Sequence, residues 1–184
     1  MEHHELRLSG SGGQGLILAG IILAEAALYD GKNVVQSQSY GPEARGGASK
    51  AEVIISEDDI NYPKVRNCNI LLALTQVACD KYIDGLNKGG ALILDSSILD
   101  IPERDDINIY RVPILETAKD KLNRPMVANI VALGTVYELT KIVSKESLEK
   151  AVLSRVPKGT EELNKKALEE GFQLIKEHKE ECYA

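Results

Sequence analysis

The sequence has little of what would let it carry out redox or metal chemistry by itself. Its three cysteines, Cys68, Cys79 and Cys182, are widely spaced and odd in number. They form no CxxC pair, so neither a disulfide framework nor a protein-held zinc or iron–sulfur site is encoded. Reduced thiols are expected, with Cys68 and Cys79 near core elements and Cys182 near a frayed end. No apolar run approaches the ~18 residues of a membrane span, and "MEHHELRL" at the N-terminus lacks the basic and apolar regions of a signal peptide. Excess positive charge is missing as well. Lys and Arg number 22 against 28 Asp and Glu, and the net −6 argues against nucleic acid or an anionic membrane as partner. A cytoplasmic protein is expected. No Ser–His–Asp or paired-carboxylate constellation stands out, so an independent hydrolase is not. His3 and His4 sit at a terminus and His178 on a charged helix face, positions that suit solvation better than metal binding.

What is present is globular. With 43% hydrophobic and 27% charged residues, 184 residues suffice for one domain that needs no metal or disulfide to fold. Strand and helix patterns alternate. "ELRLS" (5–9) reads as a short strand ending at "GSGGQG", and "LILAGIILAEAAL" (16–28) as a helix buried on a sheet. Strands follow at "NVVQS" (33–37), "KAEVIIS" (50–56), "NILLAL" (69–74), "ALILDSS" (91–97) and "INIYRVPI" (107–114). Thr75 can cap a helix in "TQVACDKYIDGL". Beyond Pro125 the periodicity is helical over 126–143, 145–156 and 160–181. The alternation predicts an α/β fold: a doubly wound, Rossmann-like, mostly parallel sheet with C-terminal helices. We expect a single domain over 1–184, its α/β core over about 1–140 and a helical portion over about 141–184.

"GSGGQG" (10–15) matches GxGxxG between a strand and a helix. Glycines allow a tight turn and close backbone approach, while a helix start offers free N–H groups to a phosphate. A dinucleotide site also wants Asp or Glu ending the second strand. Gln36 and Ser37 stand there and are neutral, and Asp30 lies before that strand. That weighs against NAD or FAD and an independent nucleotide-binding oxidoreductase without removing them; another phosphate-bearing ligand, a partner chain, or a turn that only packs helix on sheet in a purely structural scaffold are the other readings. "QSYGPEARGG" (38–47) should leave the same carboxyl edge, where open α/β sheets place ligands. Tyr40, Glu43 and Arg45 would supply stacking and charge, and Arg45 suits a carboxylate or phosphate. An exposed loop with an internal Glu43–Arg45 pair is the competing reading. Asp95-Ser96-Ser97 ends a strand, where it can touch a ligand or cap a turn. Asn129 is polar among apolar neighbours, and a capping or core hydrogen bond accounts for it more simply than a ligand does.

"RLSGSGGQG", "QSYGPEARGG", "NYPKVRNCNILLAL", "GGALILDSS" and "MVANIVALG", in that order, resemble the gamma subunit of 2-oxoacid:ferredoxin oxidoreductases over roughly residues 5–140. The loop form is most similar to the 2-oxoglutarate type. The resemblance implies an enzyme that decarboxylates a 2-oxo acid on thiamine diphosphate, passes two electrons singly through iron–sulfur clusters, and gives the acyl group to coenzyme A. The thiamine motif Gly-Asp-Gly is absent here, as are cluster cysteines. Catalysis, Mg, thiamine diphosphate and clusters are therefore expected in alpha, beta and delta partners, with ferredoxin reached through the complex. For this chain the resemblance implies assembly and coenzyme A binding. The expected ligand or phosphate residues are Gly10, Ser11, Gly12, Gly13, Gln14, Gly15, Thr75 and Gln76. Gln38, Ser39, Tyr40, Gly41, Glu43, Arg45, Gly46 and Gly47 would face the cleft or an adjoining subunit. No catalytic or metal residue is expected, and the isolated chain is expected to self-associate, as a dimer.

Overall fold

A computed structural model describes residues 3–38 and 47–183. Six strands form one sheet in the order β2-β3-β1-β4-β5-β6. They are β1 (His3–Ser11), β2 (Asn33–Gln38), β3 (Ala48–Ser56), β4 (Cys68–Ala73), β5 (Leu86–Asp95) and β6 (Asn108–Val112). β1, β4, β5 and β6 pair in parallel. β3 runs antiparallel to both β1 and β2. The sheet is therefore mixed, and β3 occupies the gap that the β1–helix–β2 crossover leaves open.

Helix α1 (Leu16–Tyr29) is apolar nearly all round because it lies between the sheet and other helices. It ends at Gly31, whose φ of +73° lets the amides of Gly31 and Lys32 turn back onto Leu28 and Ala27. Side chains alternate along β1. Leu6 and Leu8 enter the larger core with α1, α4 (Ala128–Thr140), α5 (Lys145–Arg155) and α6 (Glu161–Tyr183). Arg7 and Ser9 point to the opposite face. There α2 (Gln76–Tyr82) covers a smaller core that holds both Cys68 and Cys79. Helices thus lie on both faces, as a doubly wound sheet requires. The α2 face also buries a charge pair, with Arg7 Nε donating to Glu52 Oε1 at 2.7 Å across the β1–β3 pair. Lys50 Nζ joins the same carboxylate at 2.8 Å.

α5 and α6 are integral to the larger core. Leu148, Val152, Phe172 and Ile175 are all buried in it. Between β6 and α4 the chain makes a short helix, α3 (Ile114–Glu116), then a π-helical turn (Thr117–Lys121) and a 3-10 turn (Pro125–Val127). The short helix and the π-helical turn were not expected from the sequence, whereas the 3-10 turn opens the stretch expected to be helical from residue 126.

Candidate functional site

The glycine turn follows β1 at the carboxyl edge of the parallel strands. Its closure is a side-chain device: Gln14 Oε1 accepts the Ser11 N–H at 2.8 Å, and the Gln14 N–H reaches the Ser11 carbonyl at 3.4 Å. Gly10 lies beneath that amide, and a Cβ there would collide with Gln14 Oε1 and come within 2.9 Å of Leu16. Gly15 adopts φ +73°, and a Cβ on it would stand 2.7 Å from Asn129 Nδ2. Asn129 donates that N–H to the Gly15 carbonyl at 3.2 Å. The glycines at 10 and 15 are thus required by packing. Gly13 is different, with φ +87° and nothing within 4 Å of an added Cβ. Gly12 and Gly13 are exposed.

This turn can hold an anion. The amides of Gly12, Gly13 and Gly15 have no acceptor among the described residues. α1 begins at Gly15 without a side-chain cap. Four amides at a helix start lack intrahelical acceptors, and the helix dipole adds partial positive charge to them. α4 starts close by, also uncapped, and Asn129 ties it to the turn. Alongside lies a cleft of about 370 Å³ whose walls include Leu18, Arg124, Val127, Ile130, Val156 and Leu163. A larger cavity of about 650 Å³ lies at the amino edge, lined by His3, Glu5, Tyr62, Lys64 and Arg66 among others. Its lining includes no residue of the glycine turn or of the α1 and α4 starts, so the smaller cleft is the better ligand candidate.

The other expected residues divide cleanly. Gln38 pairs with Ala51 at the end of β2, and Gly47 precedes β3, whose Ala48 pairs with Ser11. Both ends of the 38–47 loop therefore stand at the same edge as the glycine turn. Ser39, Tyr40, Gly41, Glu43, Arg45 and Gly46 lie outside the described residues. Thr75 and Gln76 reach the expected edge, but their side chains serve the fold. Thr75 Oγ1 accepts the Ala78 N–H as the cap of α2. The Gln76 amide donates to the Asp100 carbonyl at 2.9 Å and accepts the Asp100 N–H at 3.1 Å. Asp95 is buried and caps turns, accepting the Ser97 N–H at 2.9 Å and the Leu115 N–H at 2.8 Å. Burial pushes the Cys68 and Cys79 thiols up to about 11, so both are inert at neutral pH.

Sheet order weighs against a self-sufficient dinucleotide site. In such a site an acidic residue ends the strand beside β1 and runs in the same direction. Here β1's neighbour on that side is β3, which starts rather than ends at this edge. Sequence reasoning missed the partnership of Gly15 with Asn129, because 114 residues separate them.

Over residues 5–174 the sequence matches the family model of pyruvate ferredoxin/flavodoxin oxidoreductases. The chain belongs to this family. Among its relatives is the 2-oxoglutarate synthase subunit KorC of Methanocaldococcus jannaschii, 53% identical, with 94% of each chain covered. The KorC subunit of Methanothermobacter marburgensis is 48% identical over 94% of this chain and 97% of its own length. A keto/oxoacid ferredoxin oxidoreductase gamma subunit from Geobacter sulfurreducens superposes with a TM-score of 0.85 at 55% identity, covering 95% and 99%. The same fold forms part of a longer chain in the 2-oxoglutarate:ferredoxin oxidoreductase of Magnetococcus marinus. That structure has 2-oxoglutarate, coenzyme A and succinyl-CoA bound, and the match has a TM-score of 0.86 at 23% identity, covering 96% of this chain and 32% of that one. The present family member is thus a gamma-type oxidoreductase subunit of a multi-subunit complex. Among the described residues no helix is long and apolar enough to cross a membrane.

Proposed function

We propose that this chain is the gamma subunit of a 2-oxoglutarate:ferredoxin oxidoreductase and that its glycine turn binds a phosphate of coenzyme A. The substrate class rests on the near full-length similarity to the two KorC subunits. The ligand reading rests on one observation: the exposed Gly12–Gly13 turn leaves amides without acceptors at an uncapped helix start. The residues fit the group, because space above Gly13 is open and the apolar cleft beside Leu18 can receive a less polar portion of the same molecule. Coenzyme A, when bound, supplies the thiol that accepts the acyl group. The chain's own part is to hold and orient it. Decarboxylation and electron transfer belong to partner subunits carrying thiamine diphosphate, Mg and iron–sulfur clusters, with ferredoxin as acceptor.

Gly12→Asp tests the ligand reading. Gly12 is exposed and is not among the positive-φ residues, so the substitution places a carboxylate at the turn without backbone strain. In the assembled complex, coenzyme A affinity measured by calorimetry should fall on the order of tenfold or more, as a like charge at an anion site costs above ~1.4 kcal/mol. Arg45→Ala should weaken binding in the same assay. Unchanged affinity in both variants would leave the chain as a scaffold only. The isolated chain should not reduce ferredoxin with 2-oxoglutarate and coenzyme A, whereas the complex should.

A further inference from the structure

At the carboxyl edge, on the α2 side of the sheet, three large apolar side chains face solvent. Val77 is 58% exposed, Leu99 80% and Ile101 41%. Single exposed apolar residues are ordinary, but a group of them on a fixed backbone marks a contact surface. This backbone is fixed. The two hydrogen bonds between the Gln76 amide and the Asp100 main chain clamp the segment after β5 onto the first turn of α2. Immediately before it, Ile98 is buried and its N–H bonds the Asp95 carbonyl at 3.0 Å. Val77 therefore lies on one side of the clamp, and Leu99 and Ile101 flank Asp100 on the other. A surface ordered in advance loses little conformational entropy when it is covered.

The rim of this patch is acidic. Asp80, Asp100 and Glu103 are exposed, and none of the three has an ion-pair partner among the described residues. The nearby cations are occupied. Arg104 forks onto Asp106 with two contacts of 2.8 Å and also donates to the Ile83 and Leu86 carbonyls. Lys81 lies over the Tyr82 ring, 5.5 Å from its centroid. Two copies of the chain meeting through this face would oppose like charges across a two-fold axis, which disfavours self-association here. The surface suits apolar side chains ringed by Lys or Arg. Relatives indicate where such a partner comes from. The same fold is about a third of the Magnetococcus marinus chain, and the ketoisovalerate oxidoreductase subunit VorA of Methanothermobacter marburgensis matches over only 28% of its length. In those proteins further polypeptide is covalently attached to the same fold, which makes other polypeptide of the complex the natural occupant of such a surface.

We infer that the Val77–Leu99–Ile101 patch is the docking surface for another subunit of the complex, one presenting an apolar contact flanked by basic residues. This goes beyond the coenzyme A reading and does not depend on it. The test uses the remaining subunits of the complex, purified together without this chain, as the immobilised partner. Leu99→Arg and Val77→Arg should each weaken binding on the order of 30-fold or more, the loss expected of a central interface residue. Both should keep the wild-type circular dichroism and thermal midpoint, since the side chains they replace are exposed. Glu103→Lys should slow association and flatten its dependence on salt. Wild-type binding by Leu99→Arg would overturn the inference, as would an association rate unaltered by Glu103→Lys. So would a dimer of the isolated chain that Leu99→Arg converts to monomers, because the patch would then serve self-contact.

Discussion

Gly13 and Gly15 share a left-handed backbone, at φ +87° and +73°, but answer to different constraints. At Gly13 an alanine meets nothing, so Gly13→Ala should cost about 1 kcal/mol of folding free energy, the strain of the conformation alone. At Gly15 an alanine also displaces the Asn129 amide from the Gly15 carbonyl. That variant should lose about 2–3 kcal/mol in chemical denaturation, strain plus one broken part-buried hydrogen bond. Asp30 sets a pH dependence. Burial alone would raise its pKa, but hydrogen bonds from the Ser147 hydroxyl, the Ser144 N–H and the Ser144 hydroxyl outweigh it and hold the carboxyl below the usual range. A depressed folded pKa means that stability is fully present above the unfolded value of about 3.9 and is lost as the pH falls through the folded value. Asp30→Asn should therefore be less stable than wild type at pH 7, and the gap should narrow below about pH 4. An undiminished gap at pH 3 would show that the carboxylate charge is irrelevant to this junction of α1 and α5.

At the scale of elements, α4 and α6 meet at a pair of glycines. A Cβ on Gly171 would strike the Val131 carbonyl and come within 2.7 Å of the Gly134 Cα, and one on Gly134 would be 2.8 Å from the Gly171 Cα. Helix propensity favours Gly171→Ala by about 1 kcal/mol. The atoms it would meet are backbone, which no rotamer change can clear, so overpacking wins. The variant should be destabilised by about 2 kcal/mol net, measured by thermal unfolding. Nothing in the sequence announced this crossing, because a glycine inside a helical period reads only as a weak point. The elements that were legible carried their own signal. The all-round apolar α1 and the continuous run of β4 bury both faces, and Thr75 capped the helix as its position suggested. Strand direction was not legible. "KAEVIIS" alternates identically whether read up or down the sheet, so the antiparallel setting of β3 needed the tertiary register. The glycine turn's place at the carboxyl edge was legible from order alone; the internal use of Gln14 and Gln76 was not, since each bonds a backbone group whose position the sequence does not specify.

The molecule as a whole folds around two cores of unequal size, and the larger one reaches from β1 to the last helix. The alternation of strand and helix patterns suggested a single domain with an α/β core over about 1–140 and a helical portion over about 141–184. Leu148, Val152, Phe172 and Ile175 of that portion pack in the same volume as Leu8 and Ile22. A chain truncated after Thr140 should accordingly lose cooperative unfolding in calorimetry and show the poorly dispersed spectra of an expanded state. Retention of a sharp transition would mark α5 and α6 as an appendage after all. The acidic net charge of −6 is compatible with this architecture because most of it is carried by exposed helix and loop positions rather than by the cores.

β3 enters the sheet in reverse, so β2 and β3 are hydrogen-bonded neighbours, held at the ladder spacing of about 4.8 Å as far as the Gln38–Ala51 pair, while Ala48 is fixed against Ser11 of β1. Whatever is spliced between two such anchors leaves the ladder registers untouched. Evolution can accordingly lengthen, shorten or rewrite that segment like an interchangeable bit in a fixed chuck, retuning what the edge engages while the barrel of the tool stays the same.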